Sequence, residues 1–532
     1  MSLNIPGLIG IIVFYVLILV VGLWAGRKSR KSTNSDELFL ANRDIGMGVS
    51  ICTIAATGVG AAYINGTAEA MAKDGFLWTQ APFGYNIGIA VAALFYATKL
   101  RKAGYTTLFD PIQEKYGAKM GGVLFFPELL GELFWEAAIL VALGTTLSIV
   151  LNINSMVAII GSACIAVVYT FLGGLYSVAY TDIIQLICVA FGLILCIPFA
   201  WNNPAVDLSR IKNTWLGTIP NNMVGTYIDT YCLLIGGGIP WQVYYQRVLA
   251  CRTPEIAVKS SLIGIAITFL LGIPPAIIGV IGSAADWNST AYEGEVPIPP
   301  DKWVFVLPMV LQYLCPTAVA VIGIGAVSAA AMSSTDSLIL CTGTVFARNI
   351  YKNIIRPQAS DREEIWVLRI SIVVVGVAGT AIALTVNSVY GLFVICADLM
   401  YIIQFPQLTC LLWVPFSNTY GSLLGFLFAF VFRVLGGEHL LNLPAAIKYP
   451  FYNNETGQAF PHKTLAMAIS FTTILGVSFF TDRAFKRGWI PMKYDIFHCF
   501  DNKRLTKRRQ DEKDAMPLDD DKQLQLEQLT SM

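Results

Sequence analysis

Inside a long apolar run, the segment Ala330-Ala331-Met332-Ser333-Ser334-Thr335-Asp336-Ser337 gathers several hydroxyls around one carboxylate. Ser333 and Ser337 stand one helical turn apart on one face, with Ser334 and Asp336 alongside. A carboxylate at membrane depth is costly and is by default a functional-site hypothesis. Oxygen donors with a single negative charge suit a small hard cation such as Na+. Asp182, at the end of Ala179-Tyr180-Thr181-Asp182, is a second acid of this kind near a helix end. The hydroxyls alone also read as interhelical hydrogen-bond groups.

Three further features carry chemistry. Glu128, Glu132 and Glu136 recur every fourth residue, so their carboxyls share a helix face. That face is either a solvated or interhelical stripe or a vestibule that attracts cations. Asp398 lies inside another apolar run with no basic residue nearby in sequence, and reads equally as a proton or cation site and as a hydrogen-bonded structural acid. Aromatics cluster near polar breaks: Trp78, Tyr85, Phe134-Trp135, Trp241 and Tyr244-Tyr245. Aromatic faces hold quaternary ammonium groups by cation–π attraction, although Trp and Tyr also anchor spans at membrane interfaces.

The elements that must position these groups are membrane spans. Of 532 residues, 55% are hydrophobic and 13% charged, against roughly a quarter charged in soluble domains. Mean hydropathy is +0.61. Runs long enough to cross a bilayer lie near 7–25, 46–72, 77–98, 121–150, 155–175, 180–201, 225–246, 257–283, 317–345, 367–386, 389–414, 419–434 and 464–481, about thirteen in all. The chain therefore reads as an all-α polytopic membrane protein. Its net charge of +1 excludes the basic footprint of a nucleic-acid binder.

Two runs are broken. The second carries Gly58-Val59-Gly60, and the seventh Gly236-Gly237-Gly238-Ile239-Pro240-Trp241. Backbone groups released by such breaks survive at membrane depth only where they line a cavity or lie buried in protein. The breaks are five spans apart. Five is odd, so two successive five-helix units would run in opposite orientations, the pattern of an inverted-repeat transporter with its site at the broken helices. Close helix packing is the other reading of the glycines.

Basic residues set orientation. Arg27, Lys28, Arg30 and Lys31 follow the first span; Lys99, Arg101, Lys102 and Lys115 the third; Arg247, Arg252 and Lys259 the seventh; Arg348, Lys352, Arg356 and Arg362 the ninth. This places them and the C-terminus in the cytosol and the N-terminus outside. The sequons at Asn288 and Asn454 then fall in outer loops and read as glycosylation sites, while Asn65 sits within a span and reads as a chance match. From 483 to 532 the chain reads as a disordered cytosolic tail, basic at Lys503 to Arg509 and acidic at Asp519 to Asp521.

Catalysis is not indicated. No HExxH, GxSxG or Walker-type motif is present, and the three His lie far from the acidic centres. The eleven Cys are scattered through apolar runs without metal-ligand spacing, so no cofactor is expected.

Long strings resemble the sodium/solute symporter family, and within it the choline-transporting members. They are Tyr63-Ile64-Asn65-Gly66-Thr67-Ala68-Glu69-Ala70, Gly173 to Asp182, Gly238-Ile239-Pro240-Trp241-Gln242, Gln312-Tyr313-Leu314-Cys315-Pro316, Ala330 to Ser337, and Phe346 to Tyr351. The resemblance runs from residue 7 to about 480. It implies a leucine-transporter-type core of inverted five-helix repeats at 45–202 and 225–414, with a leading helix and loop at 7–44 and two extra helices at 415–482. It also implies Na+- and Cl−-dependent choline uptake. By position, one Na+ site would use the carbonyls of Ala56, Val59 and Ala330 with the hydroxyls of Ser333 and Ser334. A second would use Asp182, Asp336 and Ser337. Tyr85, Trp135 and Trp241 match the aromatics that box the choline ammonium.

Three positions depart from that pattern. Gly58 stands where a Trp is usual, Phe393-Val394 where a Trp-Tyr pair is usual, and Glu136 where a small residue is usual. The expected partners are choline or a related amine, Na+, Cl− and membrane lipid. Two other readings are a Na+ symporter for a different small solute and a non-transporting sensor or channel on the same fold. The sequons favour the plasma membrane, and the sequence leaves the oligomeric state open, a homo-oligomer included.

Overall fold

A computed structural model of the chain describes residues 5–29, 35–151, 153–172, 175–386, 388–454 and 457–500. Gly173, Gly174 and the charged stretches beyond residue 500 lie outside the described residues. Within them the chain is helical throughout, and the β-structure is limited to isolated bridges.

In chain order the main helices are α1 (Ile5–Ser29), α2 (Met47–Gly58), α3 (Ala61–Asp74), α4 (Ala81–Val91), α5 (Ala118–Leu151), α6 (Ser155–Leu172), α7 (Leu175–Trp201), α8 (Val224–Gly238), α9 (Gln242–Ala250), α10 (Pro254–Leu271), α11 (Ile273–Ala284), α12 (Thr317–Val345), α13 (Asp361–Ala383), α14 (Val389–Leu399), α15 (Phe405–Trp413), α16 (Thr419–Leu435) and α17 (His462–Lys486). Among the described residues, eight helical stretches are long and apolar enough to cross a bilayer, or nine if the bent pair α2–α3 is one span. The protein is a multi-pass membrane protein. Each of the thirteen expected runs overlaps a helix among the described residues. The count of crossing helices is nevertheless lower by that test, because the apolar stretches of α1, α6 and α16 are short and the seventh run divides into α8 and α9.

Burial follows composition. α12 is built of Ala, Gly, Ser and Thr and is buried along almost its whole length, because small side chains let α5 and α7 approach closely. The outer faces instead expose large apolar residues such as Val168, Val377 and Phe480, as a lipid-facing surface requires.

The first break is a bend of 46° between α2 and α3. Val59 leaves helical geometry and Gly60 is extended. Gly60 is demanded by contact: a Cβ there would lie 2.2 Å from Ser334 Oγ on α12. At the second break α8 ends at Gly238, and Trp241 is extended before α9 begins. Pro240 has no N–H to continue the helix. These glycines also pack closely, since a Cβ at Gly237 would meet the Ala397 carbonyl of α14 at 2.2 Å. The second glycine cluster therefore both ends a helix and packs closely.

The loops gather at two ends. At one, Arg101 donates to the carbonyls of Cys251 and Arg252, Arg252 pairs with Asp44 at 2.6 Å, and Lys352 pairs with Glu364 at 2.6 Å. At the other, the Asp286 N–H donates to the Ala205 carbonyl and Thr226 Oγ1 to the Gln458 and Ala459 carbonyls. The exposed residues Asn288 and Asn454 lie in loops of this second end, while Asn65 is buried and donates to the Ala142 carbonyl.

Two expectations are corrected. Arg247 is not a loop-end cation but is 1% exposed inside the bundle. The packed part of the chain also passes residue 483: α17 runs to Lys486, and Phe497 and Phe500 return to stack near Tyr420 and Phe485. Aromatic residues after the basic flank supply apolar surface that the charge pattern hides.

Candidate functional site

The first break and α12 form an oxygen-rich centre. The Val59 N–H makes the last regular bond of α2, to the Ala55 carbonyl at 2.9 Å. The carbonyls of Ala56 and Val59 follow at the helix end, where backbone acceptors lack helical partners. Ser334 Oγ projects at Gly60 and is buried without a hydrogen-bond partner among the described residues. Ala330 lies one turn before it on α12.

Ser333 turns from this break to Asp182 on α7, donating to Oδ1 at 2.5 Å. Thr53 of α2 donates to the other oxygen, Asp182 Oδ2. Asp336 Oδ1 accepts from Thr170 of α6 at 2.8 Å, and Oδ2 has no partner among the described residues. Arg247 of α9 donates to Ser337 Oγ and, at 2.8 Å, to Gln246 Oε1. Its charge acts on both Asp182 and Asp336.

The two groups of oxygen donors anticipated from the sequence are thus one connected cluster, with Ser333 as the link. Two carboxylates against one guanidinium leave a single unbalanced negative charge when all are ionised. Sequence reading missed Thr53, Thr170 and Arg247. The hydroxyl at 53 comes from a helix otherwise read for its glycines and its Ala56 carbonyl, and Arg247 has the neighbours of an ordinary stop-transfer flank.

The rings converge one layer away. Tyr85 of α4, Trp135 of α5, Trp241 at the second break and Phe393 of α14 are all buried. Their centroids lie 5.5 Å apart for Tyr85–Trp241, 5.6 Å for Trp135–Trp241 and 4.8 Å for Trp135–Phe393. Tyr85 also stacks on Trp135 at 6.4 Å. These are ring–ring contact distances, so the cluster stands closed.

Gly58 lines a small cavity with Tyr85, Trp241, Thr268 and Arg247. A Cβ at Gly58 would already lie 3.0 Å from Thr268 Oγ1, so α10 fills part of the space left by the missing side chain. Phe393 supplies the fourth wall. The Glu136 side chain packs on Gly379 of α13. Glu132 instead lies beside the ring cluster, with Trp241 and Tyr85 as neighbours. The three glutamates are buried, which removes the solvated reading of that face.

Asp398 falls outside this centre. Arg433 Nε donates to it at 2.5 Å, and Lys463 lies 3.5 Å away, so it is a buried ion-paired acid.

The sodium:solute symporter family model matches residues 38–429, which contain the whole cluster. The chain belongs to the sodium:solute symporter family. It is a sodium-coupled transporter. The "High-affinity choline transporter 1" of Drosophila melanogaster is 49% identical over 94% of this chain and 82% of that one. The "High affinity choline transporter 1" of Homo sapiens is 45% identical over 93% of this chain and 89% of that one. Among solved structures, the substrate-bound, outward-open Na+-coupled sialic acid symporter superposes with a TM-score of 0.73 over 89% of this chain and 97% of that one, at 15% identity. That likeness gives the fold: a helical symporter architecture built around broken helices.

One prediction concerns the break of this symporter. Gly60→Ala places a methyl against Ser334 Oγ, and overpacking of this kind costs about 1–3 kcal/mol. The maximal Na+-driven uptake rate per surface molecule is expected to fall about ten-fold. An unchanged rate would show that the Gly60–Ser334 contact has no part in transport.

Proposed function

We propose that this symporter imports choline at the plasma membrane, coupled to Na+ and dependent on Cl−, by alternating access. The observation that carries the reading is the buried four-ring cluster of Tyr85, Trp135, Trp241 and Phe393 beside the second break. It is supported by relatives named for choline transport at 45–49% identity over more than nine-tenths of the chain. A quaternary ammonium has no hydrogen to donate, so aromatic faces are its natural partners. Gly58 and Phe393 shape the same cage.

In this reading the chain crosses the membrane thirteen times, with the N-terminus outside and the C-terminus in the cytosol. The core is two inverted repeats, 45–202 and 225–414, followed by two helices within 415–482, and Asn288 and Asn454 carry glycans on the outer face. One Na+ lies among the Ala56, Val59 and Ala330 carbonyls and the Ser333 and Ser334 hydroxyls. A second lies with Asp182, Asp336 and Ser337. Na+ at the first site draws the α2–α3 break onto α12, and binding shifts the outward-open population only as far as it favours that state. Each charge moved inward across 100 mV gains about 2.3 kcal/mol, enough for one Na+ to drive substantial accumulation of a cation.

The test is the cage itself. Trp135→Ala and Trp241→Ala each remove a face worth about 0.5–2 kcal/mol or more when desolvated. The half-saturating choline concentration is expected to rise about ten-fold, with Trp→Phe variants in between. If neither tryptophan affects choline affinity, the cage is not the choline site.

A further inference from the structure

Two cysteines from separate elements meet at the end of the bundle that carries the exposed Asn288 and Asn454. Cys196 sits little more than one turn before the end of α7, and Cys315 in the turn that leads into α12. Their contacts cross. The Cys315 thiol donates to the Cys196 carbonyl at 3.7 Å, and the Cys196 thiol donates to the Val319 carbonyl of α12 at 3.7 Å. The two thiols are also within hydrogen-bonding contact of each other.

Small residues allow this approach. A Cβ at Gly323 of α12 would lie 2.8 Å from Cys196 Sγ, and one at Gly192 of α7 would lie 2.6 Å from the Ala326 Cβ. Asn203 Nδ2 pins the same turn by donating to the Leu314 carbonyl at 3.1 Å. Thiols are weak hydrogen-bond groups and add little to such packing. A disulfide, by contrast, requires the two Cβ atoms within about 4.5 Å, a condition that thiols in contact across packed elements are placed to meet.

The two sulfurs differ in access. Cys196 is 0% exposed, whereas Cys315 is half-buried and followed by the exposed Pro316 and Thr317. Cys315 precedes the span, and the Cys196 thiol directed at it holds the Cys315 thiol below its usual value, against the effect of burial. The more accessible and more easily ionised thiol is the one that a small oxidant meets first.

We propose that Cys196 and Cys315 are a redox modification site, a disulfide formed by peroxide that clamps α7 to the start of α12. The Cys315 thiolate attacks one peroxide oxygen and the O–O bond breaks, leaving a sulfenic acid and a hydroxide that takes up the Cys315 proton as water. The Cys196 thiol then attacks the sulfenic sulfur. The S–S bond forms, the S–O bond breaks, and a second water leaves with the Cys196 proton. Two thiols thus lose two electrons, and one peroxide is reduced to two waters. The bond joins positions 119 apart. It fastens the helix of Asp182 to the helix of Ser333 and Asp336, so it braces the oxygen cluster from one end. In the topology proposed above this end faces the oxidising side, where disulfides persist; formation by peroxide does not depend on that topology.

The experiment uses the purified full chain, reduced with dithiothreitol, freed of it and exposed to hydrogen peroxide. It is then alkylated and digested without reductant. Mass spectrometry is expected to find the Cys196 and Cys315 peptides joined. The thermal midpoint should rise by on the order of 5 °C, as closing a loop of this length implies, and dithiothreitol should reverse both results. Cys196→Ser and Cys315→Ser should each lack the linked peptide and the rise. Cys196→Ser should leave a Cys315 sulfenic acid that a dimedone probe captures. Both cysteines alkylated as separate thiols after peroxide, or Cys315 carried to a sulfinic acid without linkage, overturns the proposal. So does a rise that persists in both serine variants. The linked peptide of the unaltered chain decides the matter even if a serine variant fails to fold.

Discussion

Asp336→Ala is expected to abolish Na+-dependent uptake while the protein still reaches the cell surface. Asp336 is fully buried on α12, accepts one bond from Thr170, and leaves Oδ2 without a partner among the described residues, within the field of Arg247. Its removal takes away the negative charge that Arg247 does not balance, and with it the electrostatic reason for a monovalent cation to bind there. Removing one partner from a buried charge cluster costs about 3–5 kcal/mol, which is at least about 100-fold in affinity for an ion bound through that charge. Asp336→Asn separates charge from packing, since the amide oxygen can still accept from Thr170. The two variants are expected to lose uptake equally. If Asp336→Asn keeps the Na+ dependence of the unaltered chain, the carboxylate has no coupling role.

The second large effect is on stability and lies away from the transport centre. Arg433 of α16 holds Asp398 at 2.5 Å and Glu438 at 2.5 Å, and donates to the Gly437 carbonyl at 2.9 Å. Lys463 approaches the same two acids at 3.5 and 3.9 Å. Arg433→Ala leaves the buried Asp398 and the partly buried Glu438 facing one lysine and should cost about 3–5 kcal/mol. Surface expression and the thermal midpoint of the purified protein should both fall sharply. Arg433→Gln combined with Asp398→Asn removes the pair together and should recover much of the loss, because the penalty comes mainly from the stranded charge.

The network is not a switch near neutral pH. Burial alone would raise the carboxyl of Glu438, in the loop after α16, but Lys463 and Arg433 outweigh it and hold it down to about 2. A depressed carboxylate contributes stability that is present above its ordinary value and lost only as the pH falls through the folded value. The thermal midpoint should therefore stay level on mild acidification as far as Glu438 is concerned. A double variant no more stable than Arg433→Ala would contradict this account of the network.

How much of this was legible in the sequence follows the range of the interactions. Both helix breaks could be read from Gly58-Val59-Gly60 and Gly236 to Trp241, because backbone disruption is local. Tyr85, Trp135 and Trp241 were singled out by their place near polar breaks and by resemblance, and the fold brings them into one cluster. The partners that complete the oxygen cluster were not legible. Thr53 meets Asp182 across 129 positions, and Thr170 meets Asp336 across 166, with no periodic signal to link them. Arg247 was misread because a basic residue after an apolar run has the same local pattern at a membrane boundary and inside a bundle. Asp398 lacked a visible counter-ion because Arg433 lies 35 positions away, on another helix. For Glu128, Glu132 and Glu136 the spacing revealed the shared face, but only packing shows that this face meets protein on every side.

The central claim joins the ring cage to Na+ coupling, and one measurement addresses both. Labelled choline uptake is followed in cells expressing the full chain, with external Na+ either present or replaced by an impermeant cation. Saturable uptake that disappears with Na+ is the predicted result, and it would establish that a cage with Gly58 and Phe393 in its walls works. Protein at the cell surface with no Na+-dependent choline uptake would contradict the assignment of choline and leave only the family fold standing.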